Sequence, residues 1–307
     1  MSIKGWICFW LIILCLAGIV YAVSSAVSFV NYHTGILDPS VKELETGEKS
    51  VSFDYTLHGN NGAIQTTVYE GVYNYLSEKR PKSGRYLDVF SDRIQDKYSS
   101  DLIRKIQAVS TNHEDQARVA ISIVQQIQYS DGLDYFWVEY PYERLYYNWG
   151  DCSQKSVLLA YILKQLGFGV ALLEFEDENH MVVGIATNEK FSYKNTGYAF
   201  VETTLPRIIT DASGQYGENI TSLTSVPEVI VICYGQKMSN LDQDVQDAAS
   251  LLSLKNKGKK LNEKDYSNYV AIRDKYGLDK GIRFSFDLTT PPTIQPIPPL
   301  PPPPIKN

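Results

Sequence analysis

Apolar and polar positions change period several times along the chain, and each change predicts an element. Gly5 to Val30 carries no charged residue and is long enough to cross a bilayer with some tilt. Trp6, Trp10 and Tyr32 would then sit near its interfaces. Lys4 is the only charge before the segment, so the positive-inside rule puts Met1 in the cytoplasm and everything after Val30 outside. A cleaved signal peptide is the rival reading, because Val20–Ala22 and Ser24–Ala26 resemble small-residue cleavage sites; the length favours an anchor over residues 1–33. Residues 34–50 read as a polar connector. Val51–Leu57 then alternates as a half-buried strand does, His58–Gly62 is a turn cluster, and a short second strand follows through Ile64. Val68, Val72, Tyr75 and Leu76 recur at helical spacing. Ser100–Val109 and Glu114–Tyr129 read as amphipathic helices, the second with Val119, Ile121, Ile123, Val124 and Ile127 on its apolar side.

An apolar run, Val157–Leu163, follows directly on Tyr147–Ser156, and the pattern reaches Leu166 and stops at Gly167. Asp151 suits the N-cap and Gly167 the C′ position, which places Cys152 in the first turn of a helix buried on most sides. After it the period falls to that of strands: Val170–Phe175, His180–Ala186 and Tyr198–Thr204, joined by connections short enough to imply antiparallel pairing. Glu176–Asn179 between the first two reads as a solvated acidic turn. Val229–Tyr234 reads as a buried strand and Cys233 in it as an inert thiol. Asp242–Leu254 and Glu263–Tyr276 predict two further helices around a lysine-rich turn. From Pro291 the chain is an extended polyproline segment, either a spacer or a ligand for another protein. Asn219–Thr221 fits a glycosylation acceptor.

Composition narrows the classes. A chain of 307 residues with 44% hydrophobic and 21% charged residues is a folded protein, and a formal net charge of −6 argues against a nucleic-acid partner. The cysteines are Cys8, Cys15, Cys152 and Cys233; without a CxxC pair they build neither a disulfide framework nor a cysteine-based zinc site.

The candidate chemistry centres on Cys152. A thiol at a helix N-terminus meets the positive end of the macrodipole, which favours the nucleophilic thiolate. It still needs a base. Of the four histidines, His33 abuts the apolar segment, His58 lies in a turn and His113 near a helix start, whereas His180 opens the second strand after the Cys152 helix. An imidazole paired with a thiol raises its thiolate fraction and can protonate a leaving amine. It needs an acceptor on its other nitrogen, and Glu202 is the candidate: alternation puts His180, Val182 and Gly184 on one face of their strand and Tyr198, Phe200 and Glu202 on one face of the next. The aromatic loop Tyr129–Pro141 either lines a substrate cleft or packs over the helix end. A metal site made of Asp151, Cys152, His180 and Glu202 would hold fewer Cys and His ligands than zinc usually takes.

Trp149–Ala160, Leu166–Val170, His180–Ile185 and Tyr198–Thr204, in that order, resemble the transglutaminase-like cysteine-protease superfamily, and Gln126–Tyr129 with Tyr140–Leu145 resembles the approach to the nucleophile in its archaeal and bacterial members. The similarity covers roughly Glu114 to Val231. The superfamily more often has Asp where Glu202 stands, and Ser153 replaces an acidic residue that often follows the nucleophile. The resemblance implies an α+β, papain-like core, with a nucleophile helix packed on an antiparallel sheet that carries the His and the acid. It also implies thiol acyl chemistry on amides of a protein or peptide substrate, as peptidase, amidase or transglutaminase, without a cofactor. The alternative is a catalytically silent module of the same kind that binds a partner. The domain reading is an anchor over 1–33, a connector over 34–50, the transglutaminase-like domain over 51–238 with its core at 114–238, a helical extension over 239–290 and a proline-rich tail over 291–307.

Overall fold

The computed structural model describes residues 43–130, 138–213, 222–257, 260–278 and 287–288. Residues 1–45 and 46–307 are separate compact units, and the account below concerns the second. The expected anchor, the proline-rich tail, Asn219 and most of the aromatic loop lie outside the described residues; among the described ones, no helix is long and apolar enough to cross a membrane.

A hairpin opens the unit. Strands β1 (Glu48–Leu57) and β2 (Asn60–Tyr69) pair antiparallel from Glu48↔Tyr69 to Leu57↔Asn60. The two residues between them, His58 and Gly59, both have positive φ (50° and 83°), the left-handed pair that a tight hairpin turn needs. The second strand therefore runs five residues past the expected Ile64, and Val68 is a strand residue, not a helical one. Buried Ile64, Thr66 and Val68 continue the alternation. A polar residue on the core face, Thr66, hid it; its hydroxyl donates to Asp101 at 3.0 Å.

Helix α1 (Glu70–Glu78) follows at once, then a short 3-10 turn at Tyr86–Val89. Helix α2 (Arg93–Val109) starts seven residues before the expected Ser100, because the Asp92 carboxylate caps the Ile94 and Gln95 N–H groups. Helix α3 (His113–Gln126) is capped by Asn112 and packs along β1, where the Thr56 N–H donates to Ser122 Oγ at 2.8 Å. It stops three residues short of the expected Tyr129: Gln128–Tyr129 form β3, paired in parallel with β4 (Trp149–Gly150). Between them lies α4 (Pro141–Tyr147).

Helix α5 (Cys152–Gln165) is the centre of the unit. Every residue from Gln154 to Leu163 is buried, as its all-round apolar sequence predicts, and Gly167 takes φ +86° just past its end. It packs against α3, α4 and a sheet of four antiparallel strands in the order β7-β6-β5-β8: β5 (Val170–Phe175), β6 (His180–Ala186), β7 (Tyr198–Val201) and β8 (Glu228–Cys233). Helices segregated from antiparallel strands make an α+β protein.

Three readings change here. Strand β7 ends at Val201, so Glu202–Thr204 leave the ladder. Strand β8 is an edge and half-exposed, not buried, and Cys233 is part-exposed with its thiol on the Phe168 carbonyl at 3.3 Å. The turn after β5 is not merely solvated. Glu178 accepts N–H and hydroxyl bonds from Thr224 and Ser225, which hold its carboxyl down at about 2 and tie the entry of β8 to the β5–β6 turn.

Helices α6 (Asp242–Asn256) and α7 (Glu263–Tyr276) occupy the expected places. Leu251, Leu254, Tyr269, Ile272 and Leu278 make a satellite core with Ile208 from the main unit. Asp244, almost fully buried, takes both Arg118 Nη groups of α3 at 2.7 and 2.8 Å. A buried ion broken on one side leaves an uncompensated charge. Asp244→Ala is therefore expected to lower stability by about 3 kcal/mol, which denaturant unfolding would measure.

Candidate active site

The nucleophile candidate is set by its helix start. Asp151 is the N-cap: its carboxylate accepts the Gln154 N–H at 2.9 Å and the Ser153 hydroxyl at 2.8 Å, while Gln154 Oε1 accepts the Asp151 N–H at 3.1 Å. This reciprocal box fixes the first turn and leaves Cys152 at its first position, part-exposed. A second layer holds Gln154. Its amide donates to Glu139 at 3.0 Å and accepts from Arg144 at 3.2 Å, and Glu139 in turn pairs with Arg144 and Arg80, both at 3.0 Å or less. The Arg144 guanidinium also lies 5.0 Å from the Trp149 ring centroid and 4.9 Å from that of Tyr147.

The imidazole and the acid come from the sheet. Strands β6 and β7 pair with Gly184 opposite Phe200, so His180 and Glu202, each an even step away, share a face. His180 Nε2 donates to Glu202 Oε2 at 3.0 Å, and both side chains are buried, Glu202 completely. The Cys152 thiol is hydrogen-bonded to the same ring. With Nε2 on Glu202, that bond falls to Nδ1. The sequence-expected residues Cys152, His180 and Glu202 are thus brought together, while the neighbouring acids are not: Asp177 lies with Glu174, Glu176 and Glu228 in a separate concavity, and Glu178 is committed to Thr224 and Ser225.

The end of β7 explains how a wholly buried carboxylate stays charged. Beyond Val201 the chain turns, and Glu202 Oε1 accepts the Thr203 N–H at 2.9 Å, the Thr204 N–H at 2.8 Å and the Thr204 hydroxyl at 2.8 Å. Burial pushes the Glu202 carboxyl up, but the His180 bond and charge, the Thr204 N–H and the Arg207 charge outweigh it and hold it at about 2. For His180, burial pushes down, and the bonds to Cys152 and Glu202 overcome it, raising the ring to about 9. The imidazolium is therefore the favoured form at neutral pH.

Several contributors were missed by sequence reasoning. Ser156, one turn after Cys152, donates to the Met181 carbonyl at 3.1 Å and meets the Thr203 hydroxyl at 2.9 Å, tying α5 to β6 and to the acid's turn. Gln125 of α3 donates to the Glu202 carbonyl at 2.9 Å and the Arg207 carbonyl at 3.0 Å. The Tyr86 hydroxyl is pushed up to about 12 by burial and by the charges of Glu174, Cys152 and Asp151, which puts it in the nucleophile's neighbourhood. Polar residues on buried faces, such as Lys155 and Ser156 inside an apolar helix, are the signal that was available. The four-residue metal reading finds no support: Asp151 turns its carboxylate to its own helix start, and Glu202 is committed to four donors.

The pKa directions predict a pH dependence of stability. His180 is raised, so the stability it contributes is fully present below about pH 6.5 and is lost as the pH rises through about 9. Glu202→Gln removes the charge that most concerns the ring inside the protein. Its thermal midpoint is expected to fall less steeply than the wild type's across that window; parallel curves in a pH series of thermal scans would contradict the pairing. Comparison of the sequence with protein-family models finds no matching family, and comparison with curated proteins finds no matching relative.

Proposed function

We propose that the protein is a transglutaminase-like thiol enzyme with a papain-like core, which transfers acyl groups from amide bonds of a protein or peptide substrate. The observation that carries this reading is the His180 ring, held between the Cys152 thiol and a Glu202 carboxylate that four donors fix in place. Any one of these residues alone would be an ordinary buried group. A part-exposed thiol on an anchored, charged imidazole is a nucleophile with its acid beside it.

In this reading the Cys152 sulfur attacks the carbonyl carbon of the amide, a C–S bond forms and the carbonyl electrons move to oxygen. The Cys152 N–H, at the first helical position where no intrahelical acceptor exists, is a donor available to that oxyanion. The imidazolium of His180 gives its proton to the amide nitrogen, the C–N bond breaks, and a thioester remains. Water or a second amine then attacks the thioester while His180 takes its proton. Collapse expels the thiolate and restores the ion pair. Water gives hydrolysis and an amine gives transfer; the residues are the same for both. Glu202 keeps the ring oriented and stabilises its positive charge throughout. The uncharged segment Gly5–Val30 supports a single-pass anchor with this unit outside the cytoplasm.

Two tests follow. With a peptide library as substrate, with and without added amine, Cys152→Ala is expected to lose all turnover. His180→Ala should lose roughly 10²–10⁴-fold and Glu202→Gln measurably less, because the ring moves the proton and the acid only orients it. A Cys152→Ala protein that keeps turnover would mean that Cys152 is not the nucleophile, whereas a wild type whose thiol ignores thiol-reactive probes at neutral pH would favour the silent binding module. Removal of residues 1–30 is expected to give a soluble, folded protein; its retention in membranes would mean a second anchoring feature.

A further inference from the structure

Lys155 is the only charged residue between Gln154 and Leu163 of α5, and it is 1% exposed. It stands one turn after Cys152. An ammonium has three N–H donors and no acceptor. Here the three meet carbonyl oxygens from two segments: Ile127 at 2.7 Å and Gln125 at 3.4 Å at the end of α3, and Thr204 at 2.9 Å after β7. A neutral amine would turn its lone pair toward one of those oxygens, so the cage selects the charged form. The end of α3 presents the Gln125 and Ile127 carbonyls to it, and the turn after β7 presents the Thr204 carbonyl and the Glu202 charge. His180 and Arg207 also act on Glu202. Burial pulls the Lys155 ammonium down to about 7 against the attraction of Glu202, so the group is kept charged at a cost that an apolar residue of the same length would avoid.

What the ammonium holds is specific. Thr204 accepts Lys155 on its carbonyl and gives its N–H and hydroxyl to Glu202 Oε1. Glu202 accepts His180, and His180 meets Cys152. The bonds form a circuit that leaves α5 at Lys155 and returns to it at Cys152. We propose that Lys155 is a positioning residue of the thiol site: by pinning the Thr204 carbonyl to α5 it fixes the turn that aims Glu202, and through Glu202 the His180 ring, at the Cys152 sulfur. This rests on the thiol-enzyme reading above. It assigns Lys155 no contact with substrate.

The test is the pH profile of Cys152 alkylation by iodoacetamide, mapped by mass spectrometry, in the full chain and in Lys155→Met. The wild type is expected to be alkylated measurably at about pH 6, with the His180 ring beside the sulfur, where an ordinary thiol without a cationic partner reacts slowly. Lys155→Met should lose at least about 10-fold of that acid-side rate and follow the ordinary profile, while still unfolding cooperatively. A residue with only a structural role would lower the thermal midpoint and leave the profile of the folded protein where it was. A folded Lys155→Met with the wild-type profile overturns the inference and leaves the enzyme reading intact; an ordinary profile in the wild type overturns the enzyme reading, and this inference with it. If Lys155→Met does not fold, NMR of the wild type decides. The His180 ring signals must shift with the midpoint at which the Lys155 side chain loses its proton, and ring signals indifferent to that step overturn the proposal.

Discussion

A carboxylate with no exposure to water needs donors for its lone pairs, and much of this structure is arranged around meeting that demand for Glu202. Strand β7 is cut short after Val201 so that two backbone N–H groups and a threonine hydroxyl can turn inward to Oε1. That leaves Oε2 for His180. The turn is itself held from three directions: Gln125 of α3 on the Glu202 carbonyl, Ser156 of α5 against Thr203, and Lys155 of α5 on Thr204. Each of these side chains is polar and buried, and each would be costly without the others.

Helix α5 carries two opposed requirements. Its length is core, buried against the sheet and two helices. Its first turn must stay accessible and rigid, since a nucleophile that drifts by an ångström loses its geometry. The capping box and the chain Gln154–Glu139–Arg144–Arg80 supply the rigidity through buried charge. Burial, with the nearby Glu143 charge, holds the Glu139 carboxyl above the ordinary range against the pull of Arg144 and Arg80, so the two guanidiniums offset that cost only in part.

The segments outside the predicted core are bound into the same unit by long-range pairs. The hairpin lies along α3, the Arg118–Asp244 pair fastens α6 to α3, and the Gly59 N–H at the hairpin turn donates to the Lys275 carbonyl of α7 at 3.0 Å. The helix that supplies Gln125 to the acid's turn is therefore braced by the hairpin through Ser122 and by α6 through Arg118. Arg207, whose charge acts on Glu202, lines a cavity of about 330 Å³ together with Arg118, Asp244 and Lys275, so the brace reaches close behind the site.

The sequence by itself determined the elements whose cause is local. An apolar run between an Asp151 cap and Gly167 reads as a buried helix, so Cys152 at its start was legible, and two-residue alternation let His180 and Glu202 share a face if their strands paired, which the register then decided. The α+β class, which the resemblance implied, agrees with the helices and antiparallel strands observed. Elements with a non-local cause were misread. Thr66 on a core face concealed the five further residues of β2 because its partner, Asp101, lies on α2. Glu178 reads as solvent-facing until Thr224 and Ser225 arrive beside it. Strand β8 reads as buried from its composition, yet only the sheet order made it an edge. Lys155, Ser156, Gln125 and Thr204 follow the same rule. A buried polar side chain is defined by the partner that satisfies it, and apart from the Thr204 hydroxyl on nearby Glu202 these partners come from other segments of the chain, so tertiary structure decided what these residues do.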